Sequence, residues 1–555
     1  MKKKSVIVGL FCSIFLVGCS TGEKNTSQAK NLDTSVEQKI SLSSEAAIST
    51  MVPSLAMDTT STLVMNQVYE GLYTLGKNDK FELGVAAEEP DISKDQTVYT
   101  FKLRKDAKWS NGTPVTADDF VFAWQKLVDP QNVSPNADIL FNVVKNAKEV
   151  AEGKRALDEL GIRAIDDNTL EITLEKPTPY LVSLLSFPVL YPQNRAYVQS
   201  QGEKYASDAE HLIYNGPFKL SKWSAVGDNW SYVKNETYWD EKTVKLKTAD
   251  VTVVKSPSTA INLFKTGELD VVNKLSGDFV ANYRNDPAFV AVPQFVTFFI
   301  KMNGERNGKT SILNNINARK AIAQAFDKKG FVKSVLADKS TPTDQLIPPG
   351  QTIMPDGKTD FVKSAEKAND YLTYNPKKAL ALWKKAKDEL KIDNVTLQFL
   401  TDDTDSAKRS AEYFQNQLET HLPGLKIEVT QVPFTIRVQR DQSKDYDLEL
   451  SGWGTDYRDP LTVLRIFTSD STQGGVTFSD PTYDRLINQT RNEYAGNQEQ
   501  RMKNFMQAQN ILINKVAVLA PIYNRSLSVL ENTKIKNLYW HSFGPTYSLK
   551  WAEKQ

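Results

Sequence analysis

The side chains best placed to do chemistry lie in residues 446–460, Tyr-Asp-Leu-Glu-Leu-Ser-Gly-Trp-Gly-Thr-Asp-Tyr-Arg-Asp-Pro. Within this stretch Asp456 follows Trp453 and precedes Tyr457. A carboxylate held between aromatic rings loses hydration and needs a positive partner. Arg458 is the nearest cation in sequence, but at two residues' distance it is free to point elsewhere. A ligand carrying its own ammonium group would supply the charge. Asp456 also suits a turn, because aspartate side chains bond nearby backbone N–H groups. The stretch alone leaves both readings open.

The elements that must hold Asp456 are written into the same run. Leu448 and Leu450 alternate with Glu449 and Ser451, the period-2 pattern of a half-buried strand. Gly452 and Gly454 are read as positions of unusual backbone conformation, and Asp459-Pro460 as the closing turn. The expectation is a strand that stops abruptly and presents Trp453, Asp456 and Tyr457 at its mouth.

Other motifs point to chemistry and then fail. Residues 304–310 (Gly-Glu-Arg-Asn-Gly-Lys-Thr) have three residues between the glycines where a phosphate-binding loop has four, so they read as a polar loop. Lys265-Thr266-Gly267 has no Ser-Asp-Asn partner in the chain, and Gly267 reads as a helix cap. The three histidines, His211, His421 and His541, are too far apart for helical ligand spacing, and no metal site is expected. No carboxylate pair is marked as acid and nucleophile. These absences argue against an enzyme, and no cofactor is implied.

The N-terminus bounds the compartment. Lys2, Lys3 and Lys4 precede an apolar run over 6–17 that ends Leu16-Val17-Gly18-Cys19, which reads as a secretory signal over 1–18. The last four residues resemble a bacterial lipobox, which implies cleavage before Cys19 and lipidation of its sulfur. Cys12 lies in the removed segment, so Cys19 would be the sole cysteine left and no disulfide could form. Residues 19–39 are rich in Ser, Thr, Asn, Gln and Lys and read as a flexible tether. The formal charge is +1; loss of three lysines leaves 65 basic against 67 acidic residues, so nothing suggests nucleic acid. A body of roughly 510 residues exceeds one core and calls for two or three lobes. Aromatics make up 10% of the chain, which suits a cavity with stacking walls.

Along the body, alternation over 38–46 and 99–103 predicts strands, and the apolar spacing of 58–72 predicts a helix. Asn111-Gly112 marks a turn, and Thr116 with Asp119 forms a variant capping box. Phe120, Ala123, Trp124 and Leu127 then share one helical face, and Asp129-Pro130 stops the helix. The run from 99 to 130 closely resembles the signature of the extracellular solute-binding family 5, the peptide- and nickel-binding proteins that feed ABC importers. Residues 161–174, 214–220, 235–240 and 264–270 follow in the family's order, so the resemblance runs from about residue 40 to the C-terminus. Within the family, Gly452-Trp453 with Asp456-Tyr457 matches the Gly-Trp-x-x-Asp-Tyr of the oligopeptide branch.

That resemblance implies an α/β, three-lobed type II periplasmic-binding-protein-like fold with two hinge strands between the main lobes. Lobe I would comprise 40–80, 205–294 and 518–555, lobe II 81–204, and lobe III 295–517. The hinge crossings would be 298–303 and 521–524, read as two parallel connecting strands. The family's α-ammonium-binding aspartate falls on Asp456 and its pocket aromatics on Trp453 and Phe434. Tyr457 would add a wall, and Asn215, Gly216 and Asn303 backbone or amide contacts. The chain departs from Gram-negative relatives where a basic residue gives way to Leu450 and a histidine-bearing loop, used near a peptide carboxylate, to 401–408. The resemblance implies a monomeric, lipid-anchored receptor on the extracellular face, delivering oligopeptides to a permease powered by separate ATPase subunits. A receptor for one signal peptide, a haem binder, and a hydrolase of peptides or peptidoglycan are the competing readings.

Overall fold

The computed structural model describes residues 36–275, 278–365, 370–471 and 473–555. Cys19, the signal and most of the tether lie outside the described residues. Gln38–Gln555 form one unit, built around an eleven-stranded mixed sheet. Its order is Leu425–Val432, Val395–Asp402, Leu448–Gly454, Phe289–Met302, Leu519–Glu531, Val271–Val272, Lys39–Ser44, Thr248–Val253, Asn229–Lys234 and Phe218–Ser221, with Thr341–Pro342 also paired to Leu519–Glu531. A second, four-stranded antiparallel sheet orders Asp91–Ile92, Val98–Lys102, Thr169–Thr173 and Ile162–Asp166.

Local chemistry places the helices. Thr116 and Asp119 form the expected capping box at the start of Ala117–Val128, and Asp119 also accepts from the Trp109 indole at 2.9 Å. Phe120, Ala123, Trp124 and Leu127 are buried, as their shared face predicts. Helix Thr59–Val68 is capped by Asp58, which accepts the Ser61 N–H. Helix Pro257–Thr266 ends on Gly267 at φ 80°, a left-handed cap. The loop that resembles a phosphate site is a hairpin, Glu305–Arg306 against Lys309–Thr310, turning through positive φ at Asn307 and Gly308.

The two crossing runs belong to long strands of 14 and 13 residues, Phe289–Met302 and Leu519–Glu531. They pair with each other antiparallel, not parallel. The sign follows from connectivity: the chain traverses the sheet in one direction through the first strand and returns through the second. Stacked rings reinforce the pairing, with Phe298 and Tyr523 centroids 4.7 Å apart. One apolar core, including Ile300, Leu397, Phe399, Phe414 and Leu448, packs helix Asp405–His421 onto this end of the sheet.

Candidate functional site

Strand Leu448–Gly454 runs beside Phe289–Met302, with Trp453 opposite Thr297. Thr297 is in turn opposite Asn524 of the second long strand, whose amide donates to Thr297 Oγ1 at 2.8 Å. On its other side the strand meets Val395–Asp402 only at Leu448 and Glu449. Beyond that point no strand lies against 451–454 among the described residues, so an open edge of backbone N–H and C=O groups faces outward.

Two expectations for this strand need correction. It is not half-buried: Leu448 and Glu449 are both fully enclosed, because helix Phe434–Gln442 covers the Glu449 face. Nor do its glycines serve unusual backbone angles, since neither Gly452 nor Gly454 has positive φ. At Gly452 the reason is space, because a Cβ would stand 2.6 Å from the Phe298 ring.

Asp456 follows the strand and keeps about half of its side-chain exposure, 51%. Its Oδ2 accepts from the Thr462 hydroxyl at 3.0 Å and from Arg465 Nη2 at 3.4 Å, while the Asp456 N–H donates to Thr462 Oγ1 at 3.1 Å. No donor to Oδ1 is present among the described residues. Loss of surrounding water pushes the carboxyl above its ordinary range, and the negative charge of Asp138 acts the same way; Arg465 and Thr462 oppose them. Arg458 points elsewhere, donating to the carbonyls of Asp79, Gly350 and Gln351. The cation that serves Asp456 is nine residues on, brought back by the Asp459-Pro460 turn and the short helix Leu461–Leu464. Thr462 and Arg465 were not singled out from sequence; their recurrence just after an Asp-Pro turn was the available signal.

The predicted aromatics take different places. Trp453 is partly buried, and its indole N–H is enclosed without a partner among the described residues; the Thr455 hydroxyl is in the same position. Tyr457 is buried and stacks on Tyr180 with centroids 4.2 Å apart. Beside it, Ser183 Oγ accepts the Arg458 N–H at 3.2 Å. Phe434 opens its helix at 62% exposure, with the Arg437 guanidinium 5.1 Å from its ring.

Asn215, Gly216 and Asn303, expected to offer backbone or amide contacts, are engaged within the fold. The Asn215 amide exchanges two hydrogen bonds with the Glu70 backbone, at 2.8 and 3.1 Å. Asn303 is fully enclosed, donating to the carbonyls of Lys444 and Tyr446 and accepting the Thr477 N–H. A Cβ on Gly216 would stand 2.6 Å from the Val68 carbonyl carbon, which is backbone and cannot swing aside. Gly216→Ala is therefore expected to lower stability by about 1–3 kcal/mol; a denaturant midpoint equal to wild type would contradict this close approach.

Behind the site strand lies a buried charge network. Glu449 contacts Arg437 and lies 3.3 Å from Lys301, while Lys301 also contacts Asp441 and Arg437 reaches Asp402 at 2.7 Å. Burial, with Asp441 nearby, pushes Glu449 up to about 7 against the pull of Lys301 and Arg437. Folded Glu449 thus holds a proton up to about pH 7, whereas an unfolded glutamate loses it near 4.5. Between these values the folded state binds more protons, so this group makes stability fall as pH rises from about 4.5 to 7. Glu449→Gln is expected to flatten that slope in melts at pH 5 and 7.5; an unchanged slope would exclude Glu449 as its source.

A cavity of about 570 Å³ opens where the site strand ends, bordered by Gly454 and Thr455, by Phe295 and Val296, and across from them by Thr59 and Thr60. Among the described residues no group of three His, Cys, Asp or Glu could hold a metal ion. No described helix is long and apolar enough to cross a membrane.

A large mixed sheet with two long shared strands, and a cavity beside an open strand edge, define a binding protein of the two-hinge-strand class. The chain belongs to the bacterial extracellular solute-binding proteins, family 5, whose model matches residues 80–475. The family consists of binding components of transporters, not enzymes. The chain is 31% identical to the dipeptide-binding protein of Lactococcus lactis subsp. cremoris over 99% of both chains. Its fold is similar to that of Listeria monocytogenes OppA bound to peptide, with TM-score 0.77, 41% identity, and 94% and 100% of the two chains covered. It is equally similar, at TM-score 0.77, to the pheromone receptor PrgZ, with 35% identity and 94% and 100% coverage.

Proposed function

We propose that this protein is a lipid-anchored extracellular receptor that captures oligopeptides and delivers them to the permease of an ABC importer. The observation that carries the reading is the open edge at 451–454, which runs into a half-exposed carboxylate at Asp456. An extended peptide adds to such an edge through its backbone, whatever its side chains. Its free α-amino group would then donate to Asp456 in a charge-assisted hydrogen bond. Trp453 and Phe434 would wall the side-chain pockets, with Tyr457 supporting from beneath through its stack on Tyr180. The names of the relatives, a dipeptide-binding protein and a peptide-bound OppA, support the ligand class.

In this reading lobe I (40–80, 205–294, 518–555) and lobe III (295–517) close about the two long strands, with lobe II (81–204) resting on the site loop. Closure converts an open form into one that a permease recognises. Lipidation at Cys19 would tether the body to the outer membrane face, and cells fed labelled palmitate are expected to label the wild type and not Cys19→Ser. Equal labelling of the two, or none in wild type, would remove the lipid anchor from the proposal. A dedicated signal-peptide receptor is the second reading, favoured by the similarity to PrgZ; a narrow ligand set in a peptide-library screen would select it.

Calorimetry with one pentapeptide, free and N-acetylated, tests the function directly. Binding of the free peptide with a large loss on acetylation is expected. Equal binding of both forms would show that the amino end is read elsewhere, and binding of neither would defeat the peptide assignment.

A further inference from the structure

The site loop carries a cation that its own carboxylate does not use. Arg458 stands two residues past Asp456, yet its guanidinium turns away and makes no ion pair among the described residues. Its three nitrogens donate instead to backbone carbonyls: Nη2 to Gly350 at 2.8 Å, Nη1 to Asp79 at 3.1 Å and Nε to Gln351 at 3.2 Å. The Arg458 N–H donates to Ser183 Oγ at 3.2 Å. The guanidinium carbon also lies 5.7 Å from the centre of the Phe295 ring. A rigid, planar fork of five donors suits three carbonyls set at fixed angles, and a lysine ammonium on its flexible stem does not reproduce that geometry.

Each acceptor is fixed by contacts of its own. Asn78 and Asp79 both take left-handed backbone angles, φ 57° and 58°. The Asp79 carboxylate is held by His541 Nδ1 at 3.1 Å and by the Ser542 N–H at 3.2 Å. Gly350 is left-handed too, at φ 81°, and its N–H donates to Asp360 at 2.7 Å. Gln351 is fully enclosed, and its side-chain amide returns a bond to the Asp459 carbonyl at 3.1 Å. The Asp456 carboxylate, by contrast, has among the described residues only Thr462 and Arg465 as partners, both a few residues on. Arg458 is what bonds the loop to remote chain, since all four of its acceptors lie at least 107 residues away.

We infer that Arg458 is a positioning residue for the amino-end site: by tying the loop to Asp79, Ser183, Gly350 and Gln351, it sets the direction in which Asp456 presents its carboxylate. This rests on the reading of Asp456 as the acceptor of the peptide's ammonium group. Asp79, Ser183 and the 350–351 pair fall in lobes I, II and III as divided above, so the loop takes its set where the three meet. The sign of the effect separates positioning from electrostatics. A cation near Asp456 repels an incoming ammonium, and a partly buried one is poorly screened by salt. On charge alone, its removal would tighten binding of a free amino end. Loss of a positioning group loosens that binding instead.

The test is calorimetry on the mature protein as wild type, Arg458→Gln and Arg458→Lys, with tetra-alanine free and N-acetylated. Arg458→Gln is expected to weaken binding of the free peptide about tenfold or more, the worth of one misplaced charged hydrogen bond. It should weaken the acetylated peptide far less, and Arg458→Lys should fall between wild type and Arg458→Gln. Equal or tighter binding of the free peptide by Arg458→Gln overturns the inference. So does an equal loss for both peptides, which marks general damage to the fold. Should Arg458→Gln fail to fold, Arg458→Lys decides, and a wild-type ratio of free to acetylated affinity in that variant overturns the inference. A wild type that binds both peptides equally, or neither, ends the amino-end reading and this inference with it. A preference for the free peptide that persists undiminished in both variants overturns the inference alone.

Discussion

Asp456→Asn is expected to weaken binding of a free-amino pentapeptide by at least 30-fold, about 2 kcal/mol or more, while leaving the fold intact. Asparagine keeps the shape of the side chain and can still accept from Thr462 and Arg465, so the bonds seen at Oδ2 survive the change. What it loses is the full charge facing an incoming ammonium, and charge-assisted hydrogen bonds are about twice as strong as neutral ones. Removing one member of a desolvated charged pair typically costs 2–5 kcal/mol. The check is a cycle over wild type and variant with free and N-acetylated peptide. Acetylation should cost wild type dearly and the variant little, because both changes delete the same contact. Additive losses would show that Asp456 and the amino end act separately. Because loss of hydration raises the Asp456 carboxyl above its ordinary range, affinity should also begin to fall on acidification at a higher pH than an ordinary aspartate would dictate, and this fall should vanish in the variant.

Arg501→Met is expected to be the most damaging single change away from the ligand, at about 3–5 kcal/mol of stability. Arg501 and Asp459 form a two-pronged pair at 2.8 and 3.0 Å, with side chains 1% and 5% exposed. Asp459 also accepts the Leu461 N–H at 3.0 Å, and so sets the turn that returns Thr462 and Arg465 to Asp456. Methionine fills much of the space but leaves a buried carboxylate without its cation, and that uncompensated charge is the main cost. The same variant should bind peptide less tightly, because the loop carrying Asp456 is built on this pair. A second variant, Asp459→Leu with Arg501→Met, removes both charges and is expected to recover part of the stability but not the affinity. An unfolding free energy within 1 kcal/mol of wild type for Arg501→Met would show that the pair is not what holds the turn.

The partners that the sequence does not reveal share one feature. Arg458 is the cation nearest to Asp456 in sequence, yet it is used by three backbone carbonyls, and Arg465 takes the role because a turn and a short helix fold it back. Gly452 invites a conformational reading, but what excludes a side chain there is the Phe298 ring of a strand more than a hundred residues away. Asn215 and Asn303 look like free amides until the Glu70, Lys444 and Tyr446 backbones arrive to use them. Glu449 reads as the solvent side of an alternating strand, and only helix Phe434–Gln442 makes it a buried member of a charge network. In each case the deciding partner is distant along the chain.

What was legible from the chain alone was therefore local and periodic. The capping box at Thr116 and Asp119, the helical face through Trp124, the Gly267 cap and the strand leading to Trp453 all rest on contacts three or four residues apart or on a period of two. Such contacts form wherever the sequence places them. The motif ending in Asp456 and Tyr457 could be read because its residues are contiguous. The antiparallel sense of the two long strands, the identity of the Asp456 cation and the open edge at 451–454 were set only when remote strands met. Sheet pairing and ion pairing choose partners by distance in space, and residue spacing carries no record of that distance.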